Sequence, residues 1–152
     1  MNYSINVVYN FDLSEKVQVG DIPKNELYEL FTDGRVSSKF LERQISIWFP
    51  DLEFVDEDGY DHISKSSGIK WDVKGFTKGG ATYAPSNMIG KGRKILIEEM
   101  HLHANTIGYI FTDIVDFPKI KVVFKDGKDL VTSYPDGRIK FSDRDIFFTT
   151  KT

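Results

Sequence analysis

Apolar and polar positions change period along the chain, and each change marks an element. Residues 3–11 alternate in part and are rich in β-branched and aromatic side chains, which predicts a strand. Asp21-Ile22-Pro23 reads as a helix start, with Asp as the cap and Pro in the first turn, leading into a helix over 25–31. Asp33-Gly34 reads as a turn. From Ser37 or Ser38 a second helix is predicted, because Phe40, Leu41, Ile45, Trp48 and Phe49 recur at helical spacing over a broad, buried face. Pro50 ends it. An acidic stretch over 51–61 reads as a solvated turn around Asp58-Gly59.

Two short strands follow, over 60–65 and 69–75, joined through Ser66-Ser67-Gly68 as a hairpin. Residues 76–92 are rich in glycine and polar groups and read as a functional loop. Residues 94–103 suit helix or strand equally. Residues 107–115, 120–124, 138–141 and 145–148 read as strands, with turns at Asp126-Gly127 and Asp136-Gly137. The sum is an α/β (α+β) class, a single domain with a mixed central β-sheet flanked by helices.

Composition narrows this picture. A chain of 152 residues, 40% hydrophobic and 14% aromatic, fits one folded domain over 1–152 with a real core. No window approaches the roughly 20 apolar residues that span a bilayer. Residues 1–6 lack the sections of a secretory signal, and the absence of cysteine excludes disulfides and thiolate metal sites. An intracellular, cytoplasmic protein without membrane association is expected. The net charge of −3 argues against bulk coating of nucleic acid, yet is compatible with a cleft whose acids hold metal ions and whose walls are locally basic.

The chemistry concentrates at Asp61 and Trp71-Asp72-Val73-Lys74. In the predicted hairpin Asp61 and Asp72 lie on adjacent strands. Asp72 and Lys74, two residues apart, share one face, while Trp71 and Val73 turn to the core. Two neighbouring carboxylates repel unless a cation lies between them, and hard oxygen donors suit Mg²⁺. The Val73 carbonyl can join that shell. A lysine beside it can position or deprotonate a water and stabilise developing charge on a phosphate. By spacing alone D-x-K is weak, since Asp126-Gly127-Lys128 also fits it. The preceding helix and the following polar loop give the first copy its weight.

These residues resemble the PD-(D/E)xK nucleases, in particular type II restriction endonucleases of the EcoRV and HincII kind. Tyr60-Asp61-His62-Ile63 stands as the first strand, with Tyr60 where proline is common, and Asp72-Val73-Lys74 as D-x-K. The tract from Gly75-Phe76-Thr77-Lys78 through Ala84-Pro85-Ser86-Asn87-Met88-Ile89 is similar to the family's loop after the motif. Ile139-Lys140-Phe141-Ser142-Asp143-Arg144-Asp145-Ile146 is similar to its closing strand, and Phe40-Leu41-Glu42-Arg43-Gln44-Ile45 to the helix that brings an extra glutamate near the metals.

The resemblance implies a Mg²⁺-dependent homodimer that clasps double-stranded DNA and hydrolyses its phosphodiester bonds sequence-specifically. Asp61 and Asp72 would ligate metal with the Val73 carbonyl, Lys74 would be the catalytic lysine, and Glu42 an accessory acid. Thr77, Lys78, Thr82, Tyr83, Ser86 and Asn87 of the loop would contact DNA. Thr132, Ser133, Tyr134 and Arg138 would lie where the family reads bases. A homing or junction-resolving nuclease of the same fold, or a non-catalytic interaction module, are the alternatives.

The remaining candidates are weaker. Lys91, Arg93 and Lys94 form a basic cluster suited to phosphate contact or to solvent. His101 and His103 could share one strand face as metal ligands, but no third ligand lies nearby in sequence, so they read as surface histidines. His62 points away from Asp61. Gly90-x-Gly92 lacks the lysine and hydroxyl ending of a nucleotide loop. One of Asp56, Glu57 or Asp58 replaces Asp61 if the strand register differs.

Overall fold

The computed structural model describes residues 1–151. The chain runs through β1 (Val8–Asp12), α1 (Lys24–Phe31), α2 (Gly34–Trp48), β2 (Leu52–Glu57), β3 (Tyr60–Ser64), β4 (Lys70–Phe76) and β5 (Ala81–Thr82). It continues through α3 (Ile97–Ala104), β6 (Gly108–Asp113), β7 (Lys119–Asp126), α4 (Gly127–Ser133), β8 (Arg138–Ile139) and α5 (Arg144–Phe147). The main sheet has the order β1-β7-β6-β4-β3-β2, with β4 and β6 parallel and every other neighbouring pair antiparallel. Parallel strands need a crossover, and the segment holding α3 supplies it. This is the mixed sheet flanked by helices that the sequence predicts.

Each face of the sheet covers its own core. On one side Leu27 of α1 and Leu41, Ile45 and Phe49 of α2 and its end pack with Trp71, Ile110 and Phe124. On the other Phe76, Tyr83, Met100, Tyr109, Phe111 and Phe147 pack together. Alternation along β4 explains the split: Trp71 enters the first core, and Asp72 and Lys74 turn to the other side, where β4 borders Tyr109 and Phe111 in register. Gly108 is needed beside Trp71, because a Cβ there would lie 2.3 Å from the indole ring.

Several boundaries differ from the sequence expectation. Pro23, not Asp21, stands at the N-cap of α1, and no side chain caps the helix. Asp33-Gly34 is not a free turn but the start of α2, earlier than Ser37, because the Asp33 carboxylate accepts the Arg35 N–H at 2.9 Å. The acidic run after Pro50 is strand β2 for most of its length: Leu52 is buried while the acids project outward. Of residues 94–103, those from Ile97 onward form the helix α3, and 94–96 belong to the loop before it. Asp126-Gly127 opens helix α4, since Asp126 accepts the Lys128 N–H and a Cβ on Gly127 would lie 1.8 Å from the Ala104 carbonyl oxygen.

The expected closing strand is also corrected. After β8 the chain makes a 3-10 turn over Phe141–Asp143 and the helix α5. Two consecutive side chains, Phe147 and Phe148, are buried together, which a strand's alternation does not allow on one face. Arg144 fixes this turn to the end of β6, donating to Asp113 and to Asp116 at 2.7 Å each.

Candidate metal centre and its cleft

Strands β3 and β4 pair at His62–Trp71 and Ile63–Lys70, and the ladder does not continue to Asp61 and Asp72. The Asp61 side chain fills the first gap: its Oδ2 accepts the Val73 N–H at 2.8 Å. In a strand the N–H and C=O of one residue leave on the same edge, so the Val73 carbonyl also faces this gap. A cleft of about 890 Å³ opens there, lined in part by Glu42, Asp56, Asp61, Asp72, Val73 and Lys74.

Asp61 is the hinge of the cluster. Burial first, and then hydrogen bonding and repulsion from the Asp72 carboxyl, push Asp61 up to about 7. Lys74 balances Asp72: its Nζ stands 3.1 Å from Asp72 Oδ2 and donates to the Ala84 carbonyl at 3.0 Å. An ammonium has three donors, so one remains for a third partner.

Helix α2 brings the next acid. Glu42 is 8% exposed and raised above its ordinary value, by burial first and then by Asp61. Its Oε2 has no hydrogen-bond partner among the described residues, although the Lys39 ammonium stands 3.5 Å away. Asp56 comes from the β-bulge between Phe54 and Glu57, where it takes φ +49. Oxygens from Glu42, Asp56 and Asp61 lie within 4.8 Å of one another, close enough for one cation to reach all three. A buried carboxylate oxygen without a hydrogen bond, facing two further carboxylates, is a donor set that fits a hard divalent ion.

The other sequence candidates separate into groups. Ser86 and Asn87 line the same cleft. Thr82, Arg93 and Arg138 line an adjoining groove. Tyr83, expected among the DNA contacts, is fully buried and donates from its hydroxyl to the Tyr134 carbonyl, so it anchors the loop from inside. Tyr134 is itself half-buried against Phe147. Thr77 and Lys78 border a separate small pocket beside the start of α2, and Thr132 and Ser133 lie exposed on α4. Lys91 is exposed on the loop before α3.

His101 and His103 do not share a face. Two residues apart on a helix rather than a strand, they diverge, His101 to the Pro135 carbonyl at 2.7 Å and His103 to the Gly59 carbonyl at 3.1 Å. His103 thereby pins the β2–β3 turn at the cleft rim. His62 is fully buried with its ring against Phe54, on the opposite side of β3 from Asp61. The sequence offers Asp56 only as a substitute for Asp61, whereas in the fold both join the cluster, and the Ala84 carbonyl has no counterpart in the sequence analysis. A bulge and a backbone acceptor leave no residue-type signal.

The fold and the site together define a mixed α+β domain with a carboxylate-lined cleft where the β3–β4 ladder ends. No family model, curated protein or solved structure matches this chain.

Proposed function

We propose that the protein is a Mg²⁺-dependent endonuclease that hydrolyses phosphodiester bonds of double-stranded DNA, of the PD-(D/E)xK type. The observation that carries this reading is the joining of Asp61, Asp72, Val73 and Lys74 at one gap, with Glu42 reaching it from α2. Those are the residues, and the helix, that the resemblance singles out.

Asp61, Asp72 and the Val73 carbonyl would hold the ion, with Glu42 and Asp56, whose oxygens gather at Asp61, as further acids. When bound, Mg²⁺ would polarise the scissile phosphate and lower the pKa of an attached water. The chain's own part is orientation and charge. Val73 N–H fixes the Asp61 carboxylate on one oxygen and leaves the other for the ion. Asp72 and Ala84 hold the Lys74 ammonium, whose remaining N–H points the water or steadies a phosphate oxygen as negative charge builds.

A restriction-type role on a symmetric site calls for a homodimer, because one small domain cuts one strand and reads few base pairs. No helix of the described residues is long and apolar enough to cross a membrane. Incubation with Mg²⁺ and mixed genomic DNA tests the reading. Discrete fragments are expected, cutting confined to branched DNA would favour a junction-resolving role, and no cut in any DNA would overturn the proposal.

A further inference from the structure

Beside the acidic cleft lies a second groove of opposite character, with a volume of about 650 Å³. One wall is the two-stranded sheet formed by β5 and β8, where Ala81 pairs with Ile139 and Thr82 with Arg138. The other is the loop from Met88 to Ile95. Its charged lining is Lys74, Arg93, Lys94, Arg138 and Lys140, without one carboxylate. In a chain of net charge −3, such segregation is not the average surface.

Lys74 and Met88 border both depressions, so the basic groove runs into the carboxylate cleft. None of Arg93, Lys94, Arg138 and Lys140 forms an ion pair among the described residues. Arg93 is braced in the loop by the Ser86 and Ile89 carbonyls, each at 3.3 Å. The walls are close-built as well: Gly80 has φ +81, and a Cβ there would lie 2.2 Å from the Ile139 carbonyl oxygen. Arg93 is thus held in its loop, and the backbone beside Arg138 and Lys140 is closely packed.

We infer that this groove holds the sugar–phosphate backbone of a nucleic acid, leading one of its phosphates past Lys74 to the carboxylates. An acidic protein or anionic membrane would meet the same charges. The continuity with a cleft suited to phosphodiester chemistry favours nucleic acid, and to that extent the inference rests on the function proposed above. The binding itself needs no metal, because the cations supply it by releasing counterions from the phosphates.

Lys94 and Lys140 are exposed and lie outside the carboxylate cluster, so their reversal probes the groove alone. The experiment measures fluorescence anisotropy of a labelled DNA duplex in EDTA across a salt series, for wild type and the Lys94→Glu/Lys140→Glu double variant. A Lys94→Gln/Lys140→Gln variant substitutes if the first does not fold. Wild type should bind, and the double variant should bind at least about tenfold more weakly, with the slope of log K against log salt reduced by about 2. Mn²⁺ binding, followed by electron paramagnetic resonance, should be unchanged.

No duplex binding by wild type, equal affinity and slope in the variant, or binding only to phosphatidylserine vesicles would each overturn the inference. The two readings fail separately. Metal-free duplex binding that depends on Lys94 and Lys140, without any hydrolysis in Mg²⁺, keeps the groove and removes the nuclease. Hydrolysis with binding indifferent to these lysines does the reverse.

Discussion

Asp61 Oδ2 accepts the Val73 N–H at 2.8 Å, which ties the acid of one strand to the backbone of the strand that carries Asp72 and Lys74. That contact substitutes for the next rung of the β3–β4 ladder, which does not continue to Asp61 and Asp72. It holds the two acids close, and the closeness has measurable consequences.

Metal-free protein should lose stability as the pH rises toward neutrality. Asp61 is raised from 3.8 to about 7 in the folded state, so between those values the native chain keeps a proton that the unfolded chain has released. The stabilisation is present in full below about 4 and is lost as the pH passes about 7. Buried His62, lowered from 6.5, acts in the opposite sense and weakens the fold as pH falls. The difference between wild type and Asp61→Asn isolates the carboxyl. Thermal melts in EDTA should show that Asn stabilises most at neutral and higher pH, and Mg²⁺ should raise the wild-type Tm far more than that of the variant.

Glu42→Gln should separate stability from metal affinity. The glutamate is buried, its Oε2 lacks a hydrogen bond among the described residues, and burial and then Asp61 disfavour its charged form, so the neutral isostere should raise the metal-free Tm. The same change should weaken Mn²⁺ or Mg²⁺ binding by about 10-fold or more, read by isothermal titration calorimetry. A variant with lower Tm and unaltered metal affinity would contradict the role given to α2.

Lys74 should act in turnover more than in binding. Lys74→Ala removes an ammonium held between Asp72 and Ala84, and single-turnover cleavage should fall by about 100-fold or more. Lys74→Arg should not rescue it, because a planar guanidinium does not reproduce a compact charge between two close acceptors. Metal affinity measured by calorimetry should persist in both.

A residue remote from the acids should also matter through packing. Gly108 lies directly opposite Trp71 on the neighbouring strand, and Gly108→Ala would force a Cβ into the indole. Denaturant titration should show a loss of about 1–3 kcal/mol, with cleavage lowered because β4, which carries Asp72, must shift.

Much of this arrangement was legible from residue patterns. The hairpin, the buried stripe of α2 and the shared face of Asp72 and Lys74 follow from periods of two and of three to four, which backbone geometry enforces locally. Helix starts are less legible, since the Asp-Gly pairs at Asp33 and Asp126 serve helix caps as readily as turns. The α5 helix is imposed by Arg144 reaching Asp113 and Asp116 at the end of β6 and beyond, a contact between segments distant in sequence. Asp56 needed a bulge, and Tyr83 needed knowledge of what covers it. Both depend on tertiary packing, which spacing alone does not encode.

The most direct test of the nuclease reading is supercoiled plasmid incubated with Mg²⁺ and wild type, Asp72→Ala or Lys74→Ala. Wild type should nick and linearise a plasmid containing its site while both variants leave it supercoiled over the same interval. Wild type that never cuts any duplex, mixed genomic DNA included, or variants that cut as fast as wild type, would contradict the nuclease reading.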